Sequence, residues 1–249
     1  MRVFRSFVES DPKAGDAITL NEEESHHLAT VRRAQRGDDV VLVNGRGLEA
    51  VGSLESAGKR VLVLVKEVLR AEAAPPAPLE AACAVTKSGN FEDLLQRAVE
   101  LGMTAFRPIV TKRGTVEFDD QRAEKKVAKW RANGIEALKQ CERLWLPEFD
   151  APRSFGDVLD AVQETGKRAV ILQERALNIP TLTELLNRDL PRGVVLFVGP
   201  EGGWAPEELE LADQEGAAFA TLGGDAVLRT ETALLAALAL AGGVARKGC

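Results

Sequence analysis

The chain has few of the side chains that build metal sites and covalent frameworks. Its three cysteines, Cys83, Cys141 and Cys249, are odd in number and widely spaced, which argues against a disulfide framework and against a thiolate metal site. Its two histidines are adjacent, His26 and His27, too few for the usual zinc ligand sets, so no metal is expected. No stretch approaches ~20 uninterrupted apolar residues, and Met1-Arg2-Val3-Phe4-Arg5 leads into polar chain, not into an apolar signal region. A membrane span and export are therefore not indicated, and a cytoplasmic protein is the expectation. A Gly-x-x-x-x-Gly-Lys-Ser/Thr loop is missing, and no Gly-x-Gly-x-x-Gly follows a predicted strand, which removes the common nucleotide-phosphate motifs. There is no internal repeat and no low-complexity tract beyond one Ala/Pro stretch.

What is present is core material and segregated charge. The 249 residues are 45% apolar, enough for one large domain or two smaller ones. The net charge is −6, yet residues 1–70 hold 11 Lys+Arg against 11 Asp+Glu, so the acidic excess lies after residue 70. Local basic clusters at Arg2/Arg5 and Arg32/Arg33/Arg36 fit either a phosphate-binding surface or an ordinary solvated face.

Ala71-Glu72-Ala73-Ala74-Pro75-Pro76-Ala77-Pro78 reads as a linker, because three prolines remove backbone donors and fix φ. Before it, Val40–Val43 and Val61–Val65 are β-like runs, the first ending in the turn Asn44-Gly45-Arg46-Gly47. A small β-rich barrel is expected there, with a short helix over 21–31 opened by Asn21 and three glutamates. After the linker, strands alternate with helices: 79–85, 91–101, 105–110, a long helix over 122–144, then strands at 169–173 and 194–198. Further helices are expected near 182–190 and from Pro206, which suits the first helical position. An α/β domain follows.

Two late segments concentrate the chemistry. Gly199-Pro200-Glu201-Gly202-Gly203-Trp204 follows Val194-Val195-Leu196-Phe197-Val198, a run of the kind found in buried parallel strands. Its glycines let the backbone turn sharply and approach a flat ligand at the carboxyl edge of a sheet; the same residues also suit a bare strand-to-helix turn. Leu228-Arg229-Thr230-Glu231-Thr232-Ala233 opens a last helix with no charge from Leu234 to Val244, an apolar segment suited to the interior or to a subunit contact. Polar groups at the mouth of such a helix need partners. Thr230 and Glu231 also suit a plain N-cap and first-turn charge, and Arg229 can simply pair with Glu231.

Taken in order, these segments resemble the RsmE family of 16S ribosomal RNA uridine N3-methyltransferases, of the SPOUT class. The likeness runs from Arg2-Val3-Phe4-Arg5 and His27-Leu28-Ala29-Thr30-Val31-Arg32-Arg33 through Gly37-Asp38-Asp39-Val40, Asn44-Gly45, Lys87-Ser88-Gly89 and Gln96–Gly102. It continues with Pro108, Arg113, Trp130, Ala137, Gln140–Arg143 and Pro147, and ends on the two late segments. The resemblance implies a PUA-like β-barrel over 1–72, a linker over 73–79, and a SPOUT α/β domain over 80–249 whose chain forms a trefoil knot. It also implies S-adenosylmethionine as cofactor, 16S RNA in the small ribosomal subunit as partner, and a homodimer.

On that basis the cofactor is expected against Leu172, Gln173, Glu174, Val198, Gly199, Pro200, Glu201, Gly202, Leu222, Gly223, Gly224, Val227 and Leu228. Proton removal from uracil N3 is expected of Glu231 or Glu201, with Arg229 stabilising the developing oxyanion; Glu201 can alternatively serve only neighbouring backbone amides. Arg5, Arg33, Lys87, Arg113, Arg143 and Arg175 are expected on RNA phosphates. His27 suits packing on a helix as well as RNA contact. The chain departs from the family pattern in three main places. Lys139 stands where a glutamate is usual and Glu142 where a small residue is usual. The loop 222–227 is one residue longer and lacks an arginine. A ribose 2′-O-methyltransferase of the same class, or an RNA-binding protein without turnover, is the competing reading.

Overall fold

The computed structural model describes residues 3–58, 60–85, 91–114, 116, 119–174, 178–188 and 193–245. They form two compact units, residues 1–74 with 135–146, and residues 75–134 with 147–249. A single cut at 73–79 leaves out the segment 135–146, whose place follows from the first unit's core.

That unit is a five-stranded sheet of β1 (Val3–Phe7), β2 (Ala17–Thr19), β3 (Asp39–Val43), β4 (Leu48–Ser56) and β5 (Leu62–Ala71), in the order β1-β3-β4-β5-β2. β1 and β3 run parallel; the other pairs are antiparallel, and β4–β5 shifts register three times, the bulging that curls a sheet. Strand β3 is apolar on both sides. Val40 and Leu42 pack with Phe4, Leu28, Leu54 and Val63, while Val41 and Val43 pack with Phe7, Leu138 and Leu144. The second face needs the segment 135–146 as its cover, which is why that segment belongs here although it lies far along the chain.

The expected helix over 21–31 is present in two parts. The α1 helix (Glu22–His26) is capped by the Asn21 side chain, which accepts the Glu24 amide at 2.8 Å, and it passes into a π-helical turn over His27–Val31.

The second unit is a parallel sheet with helices between its strands. It contains β6 (Leu79–Ala84), α2 (Phe91–Glu100), β7 (Ala105–Val110), α3 (Asp120–Cys141), β8 (Glu148–Phe149), β9 (Arg153–Ser154), α4 (Phe155–Glu164), β10 (Arg168–Leu172), α5 (Leu182–Arg188), β11 (Val194–Val198), α6 (Pro206–Gln214), β12 (Ala218–Ala220) and α7 (Thr230–Ala245). Residues of α3 from Ile135 onward count with the first unit. The strand order is β12-β10-β11-β6-β7-β8, with β9 beside β7.

Strands β6 and β11 are buried along their whole length, as strands covered on both faces are. The carboxyl ends of β7, β10, β11 and β12 open at one edge, where open α/β sheets bind ligands. Helix α4 was not among the expected elements. Ser154 caps it by accepting the Asp157 amide, and Phe155, Val158, Leu159 and Val162 bury one face. No helix among the described residues is long and apolar enough to cross a membrane.

Candidate active site

Four strand ends build one cleft. Leu172, Gln173 and Glu174 leave β10, Val198–Trp204 leaves β11, Thr221–Gly224 and Ala226–Leu228 follow β12, and Arg113 follows β7; together with Thr230 and Ala233 of α7 they line a cavity of about 440 Å³. Every residue expected around the cofactor lies on this lining, as does Glu201. Arg229 and Glu231 do not line it, but they flank Thr230, which does. Both glutamates lie close to Cys83: burial pushes the Cys83 thiol up, and the charges of Glu231 and Glu201 push it further. The two candidate bases are thus brought to the same strand end although 30 positions apart in the chain.

The glycine loop is held from several sides. The Trp204 indole lies buried against Phe155, ring centres 5.2 Å apart, and its Nε1 donates to the Leu172 carbonyl at 2.9 Å. That bond ties the β11 loop to the β10 loop. Gly199 faces the same indole, and a Cβ there would sit 3.1 Å from its ring; only glycine leaves this wall undisturbed.

Thr230 is the first residue of α7, and its role differs from the expected N-cap. The Arg229 carbonyl accepts the Ala233 amide at 2.8 Å, so Arg229 occupies the cap position, and the Thr230 hydroxyl instead donates to the Gly199 carbonyl at 2.9 Å. No ion pair joins Arg229 to Glu231 among the described residues; Arg229 is exposed and Glu231 half-buried. The cleft also carries exposed apolar side chains, Val227 at 49% and Leu228 at 37%, which a flat apolar ligand would cover.

The lining fits S-adenosylmethionine on this structure's own features. A cleft walled by backbone at Gly199 and by Val198, Val227 and Leu228 suits an adenine, and Glu201 supplies a negative charge for a sulfonium.

Of the expected RNA residues, Arg5, Arg33 and Arg143 belong to the first unit and Arg113 to the second. The Arg5 side chain is 17% exposed and pairs with Glu49 at 3.0 Å and Glu142 at 3.8 Å. Glu49 also pairs with Arg70, whose Nη2 donates to the Glu142 carbonyl at 3.1 Å. Arg5 thus shares Glu49 with Arg70 inside the first unit, while its buried Nε and Nη2 make no hydrogen bond. Arg33 is exposed with φ 55° just after the π-helical turn, and Arg143 is half-buried. Arg113 stands at the cleft, where its Nη1 donates to the Gly202 carbonyl at 3.1 Å. Lys87 and Arg175, like Arg2 and Cys249, lie outside the described residues. His27 is half-buried and accepts a hydrogen bond from Arg32 Nε at 3.3 Å.

Two departures from the family pattern have local partners. Lys139 is buried between Glu24 at 2.7 Å and Glu136 at 2.6 Å. Burial alone would lower the lysine's pKa, but the two carboxylates outweigh it and hold the ammonium above its usual value. Glu142 sits at φ 59° directly after α3, the left-handed position where glycine is usual, and it joins the Arg5 network.

An RNA methyltransferase domain model matches residues 74–242, and an RNA methyltransferase PUA domain model matches residues 20–67. The chain belongs to the RNA methyltransferase family that includes ribosomal RNA small subunit methyltransferase E. It is 34% identical to the Synechocystis protein of that name, over 89% of this chain and 71% of the relative. A Legionella pneumophila methyltransferase solved with bound SAM superposes with TM-score 0.86 at 30% identity, covering 97% of each chain. Ribosomal RNA small subunit methyltransferase E of Neisseria gonorrhoeae, solved with S-adenosyl methionine, gives TM-score 0.83 at 26% identity over 96% of each chain. The expected PUA-like domain followed by an α/β methyltransferase domain holds.

The glycine segment after β11 lines the cleft. Of the site residues, sequence reasoning missed Thr230, Arg113 and Glu208 as neighbours of the loop. The signal for Thr230 was its place between Arg229 and Glu231; nothing local marked the other two.

Proposed function

We propose that this protein transfers the methyl group of S-adenosylmethionine to N3 of a uridine in 16S ribosomal RNA. The observation that carries the reading is the cleft at the carboxyl ends of β7, β10, β11 and β12, lined by Val198–Gly202, Leu172–Glu174, Leu222–Gly224 and Ala226–Leu228. Those three loops would hold the cofactor, the adenine against backbone and apolar side chains. Bound there, S-adenosylmethionine supplies an electrophilic methyl group.

The chain's own residues provide the rest. A uracil N3 attacks only after losing its proton, and a carboxylate at the same strand end serves as acceptor. Glu201 lines the cleft and Glu231 stands one residue beyond Thr230. The exposed Arg229 guanidinium can meet the negative charge that grows on the uracil oxygen. Arg33, exposed in the first unit, is the favoured phosphate contact.

Helix α7 supports a homodimer. Ala239, Leu240 and Gly243 form an exposed stripe without charge, continued by half-buried Leu235 and Ala236, and a second copy would cover it. The trefoil passage of the loops belongs to the same reading, as does a cytoplasmic location beside the ribosome.

The test is to incubate the protein with tritiated S-adenosylmethionine and small ribosomal subunits lacking the modification, digest the RNA, and identify the labelled nucleoside. Label in 3-methyluridine, abolished in Arg229→Ala, is expected. Label in a 2′-O-methyl nucleoside would assign ribose chemistry instead. Absence of label despite cofactor binding would overturn the activity.

A further inference from the structure

Two loops at the cleft are fastened to each other by side chains distant in sequence. The turn 111–114 follows β7 and the glycine loop 199–205 follows β11. The Glu208 carboxylate, 5% exposed, accepts the Lys112 amide on Oε1 at 2.9 Å and the Ala205 amide on Oε2 at 2.8 Å. From the other side, Arg113 Nη1 donates to the Gly202 carbonyl at 3.1 Å. The backbones come close: a Cβ on Gly202 would lie 3.2 Å from the Arg113 Cβ and 3.4 Å from its carbonyl oxygen. A pair between Lys112 Nζ and Glu207 at 3.5 Å lies on the exposed surface and adds little.

From these contacts we propose that Arg113 and Glu208 are positioning residues that hold the 199–205 backbone in the form the cofactor needs, Arg113 acting on the loop and not on an RNA phosphate. A loop with three glycines loses more conformational freedom on ordering than other chain does. Fastening it before the ligand arrives removes that cost from binding. Hydrogen bonds with one charged partner suit the task, being shorter and stronger than neutral ones. Both bonds of Glu208 go to backbone amides, so they are indifferent to neighbouring side chains, and they bind the two loops at their roots. Arg113 then fixes Gly202, the residue directly after Glu201. The inference rests on the reading that the cleft takes S-adenosylmethionine.

The full chain is compared with Arg113→Met, Arg113→Lys and Glu208→Gln. Glu208→Gln keeps the shape but turns an amide N–H toward one of the two backbone donors. Circular dichroism establishes that each variant is folded. Amide hydrogen exchange over 199–205 is measured without ligand, S-adenosylmethionine binding by calorimetry, and binding of small-subunit RNA by filter retention.

Arg113→Met and Glu208→Gln are each expected to speed exchange in 199–205 and to weaken cofactor binding about tenfold, about 1.4 kcal/mol, with RNA affinity changed less than about twofold. Arg113→Lys is expected to recover part of the loss, since its ammonium can reach the Gly202 carbonyl. Unchanged exchange in 199–205 would overturn the brace. Lost RNA affinity with intact cofactor binding would overturn it in favour of a phosphate contact. Cofactor binding missing from the unmodified protein would overturn the reading of the cleft, and the positioning role with it, whereas exchange would still report whether the loop is fastened.

Discussion

The two ends of the parallel sheet are made of opposite materials. Toward the amino ends of its strands, Glu80 on β6 is buried at 3% exposure. It is paired with Arg107 at 2.6 Å and with Lys167, and Arg107 reaches on to Asp150. At the carboxyl ends, the same sheet offers backbone carbonyls, glycines and the exposed Val227 and Leu228. One end has its charges matched internally, and its groups are committed to the fold. The other keeps backbone and apolar surface turned to a cleft, and its hydrogen bonds shape loops. A sheet can thus carry a site at one edge because its other edge is closed by side chains that seek nothing outside.

The comparison is broken most severely at the closed end. Glu80→Ala leaves Arg107 and Lys167 facing each other without their shared carboxylate. Removing one partner from a buried pair costs about 3–5 kcal/mol, and urea unfolding should show a loss of that size. Cofactor affinity in the folded fraction should change little.

The same residue predicts a pH effect. Burial raises the Glu80 pKa, but the hydrogen bonds from Arg107 and Lys167 lower it more, so it lies below its ordinary value of 4.5. A depressed carboxylate stabilises the fold above its unfolded pKa, and that contribution is lost as pH falls through the folded value. The urea midpoint of the unmodified chain should therefore drop more steeply below about pH 4.5 than that of Glu80→Gln. Equal slopes would mean that the network does not hold the charge.

At the open end the next largest effect is on binding. Gly199→Val puts side-chain atoms against the Trp204 ring, which a Cβ alone already approaches to 3.1 Å. Overpacking of this kind costs about 1–3 kcal/mol. Here it should appear as a loss of cofactor affinity of roughly 10- to 100-fold in calorimetry, larger than the accompanying fall in melting temperature suggests. A variant that loses stability but binds normally would place the ligand elsewhere.

How much of this was legible in the sequence depended on chain distance. Strands β6 and β11 stood out because fully buried parallel strands are apolar nearly throughout, and Val194–Val198 is apolar at all five positions. β12, three residues long, is too short to leave a period. Helix α4 had its signal in Ser154 and the spacing of Phe155, Val158, Leu159 and Val162, although Gly156 interrupts it. The membership of 135–146 in the first unit had no local sign: periodicity tells that Leu138 is buried, not that Val41 and Val43 bury it.

The candidate site divides the same way. Glycines at a strand end announce a loop that meets a ligand, whereas Arg113 and Glu208 act across 89 and 96 positions of sequence. Arg5 shows the reverse, a basic residue with no partner marked in the local sequence that is folded against Glu49 and Glu142. Lys139 does too: a charge opposite to the family's usual one is accommodated by Glu24, 115 positions earlier.

The smallest expected effect makes the finest test of the contrast between the two ends. Thr230→Val keeps the shape of the side chain and removes the hydroxyl that donates to the Gly199 carbonyl. One neutral hydrogen bond contributes about 0.5–1.5 kcal/mol. If it served stability alone, the loss would appear in the melting temperature, as at Glu80. Because it joins the first turn of α7 to the loop that lines the cleft, the loss should appear mainly in cofactor affinity, about three- to tenfold, with Thr230→Ser restoring it. Unchanged affinity in Thr230→Val together with a loss in Thr230→Ser would mean that the methyl group, and not the hydroxyl, holds the loop. The open edge would then depend on packing, as the interior does.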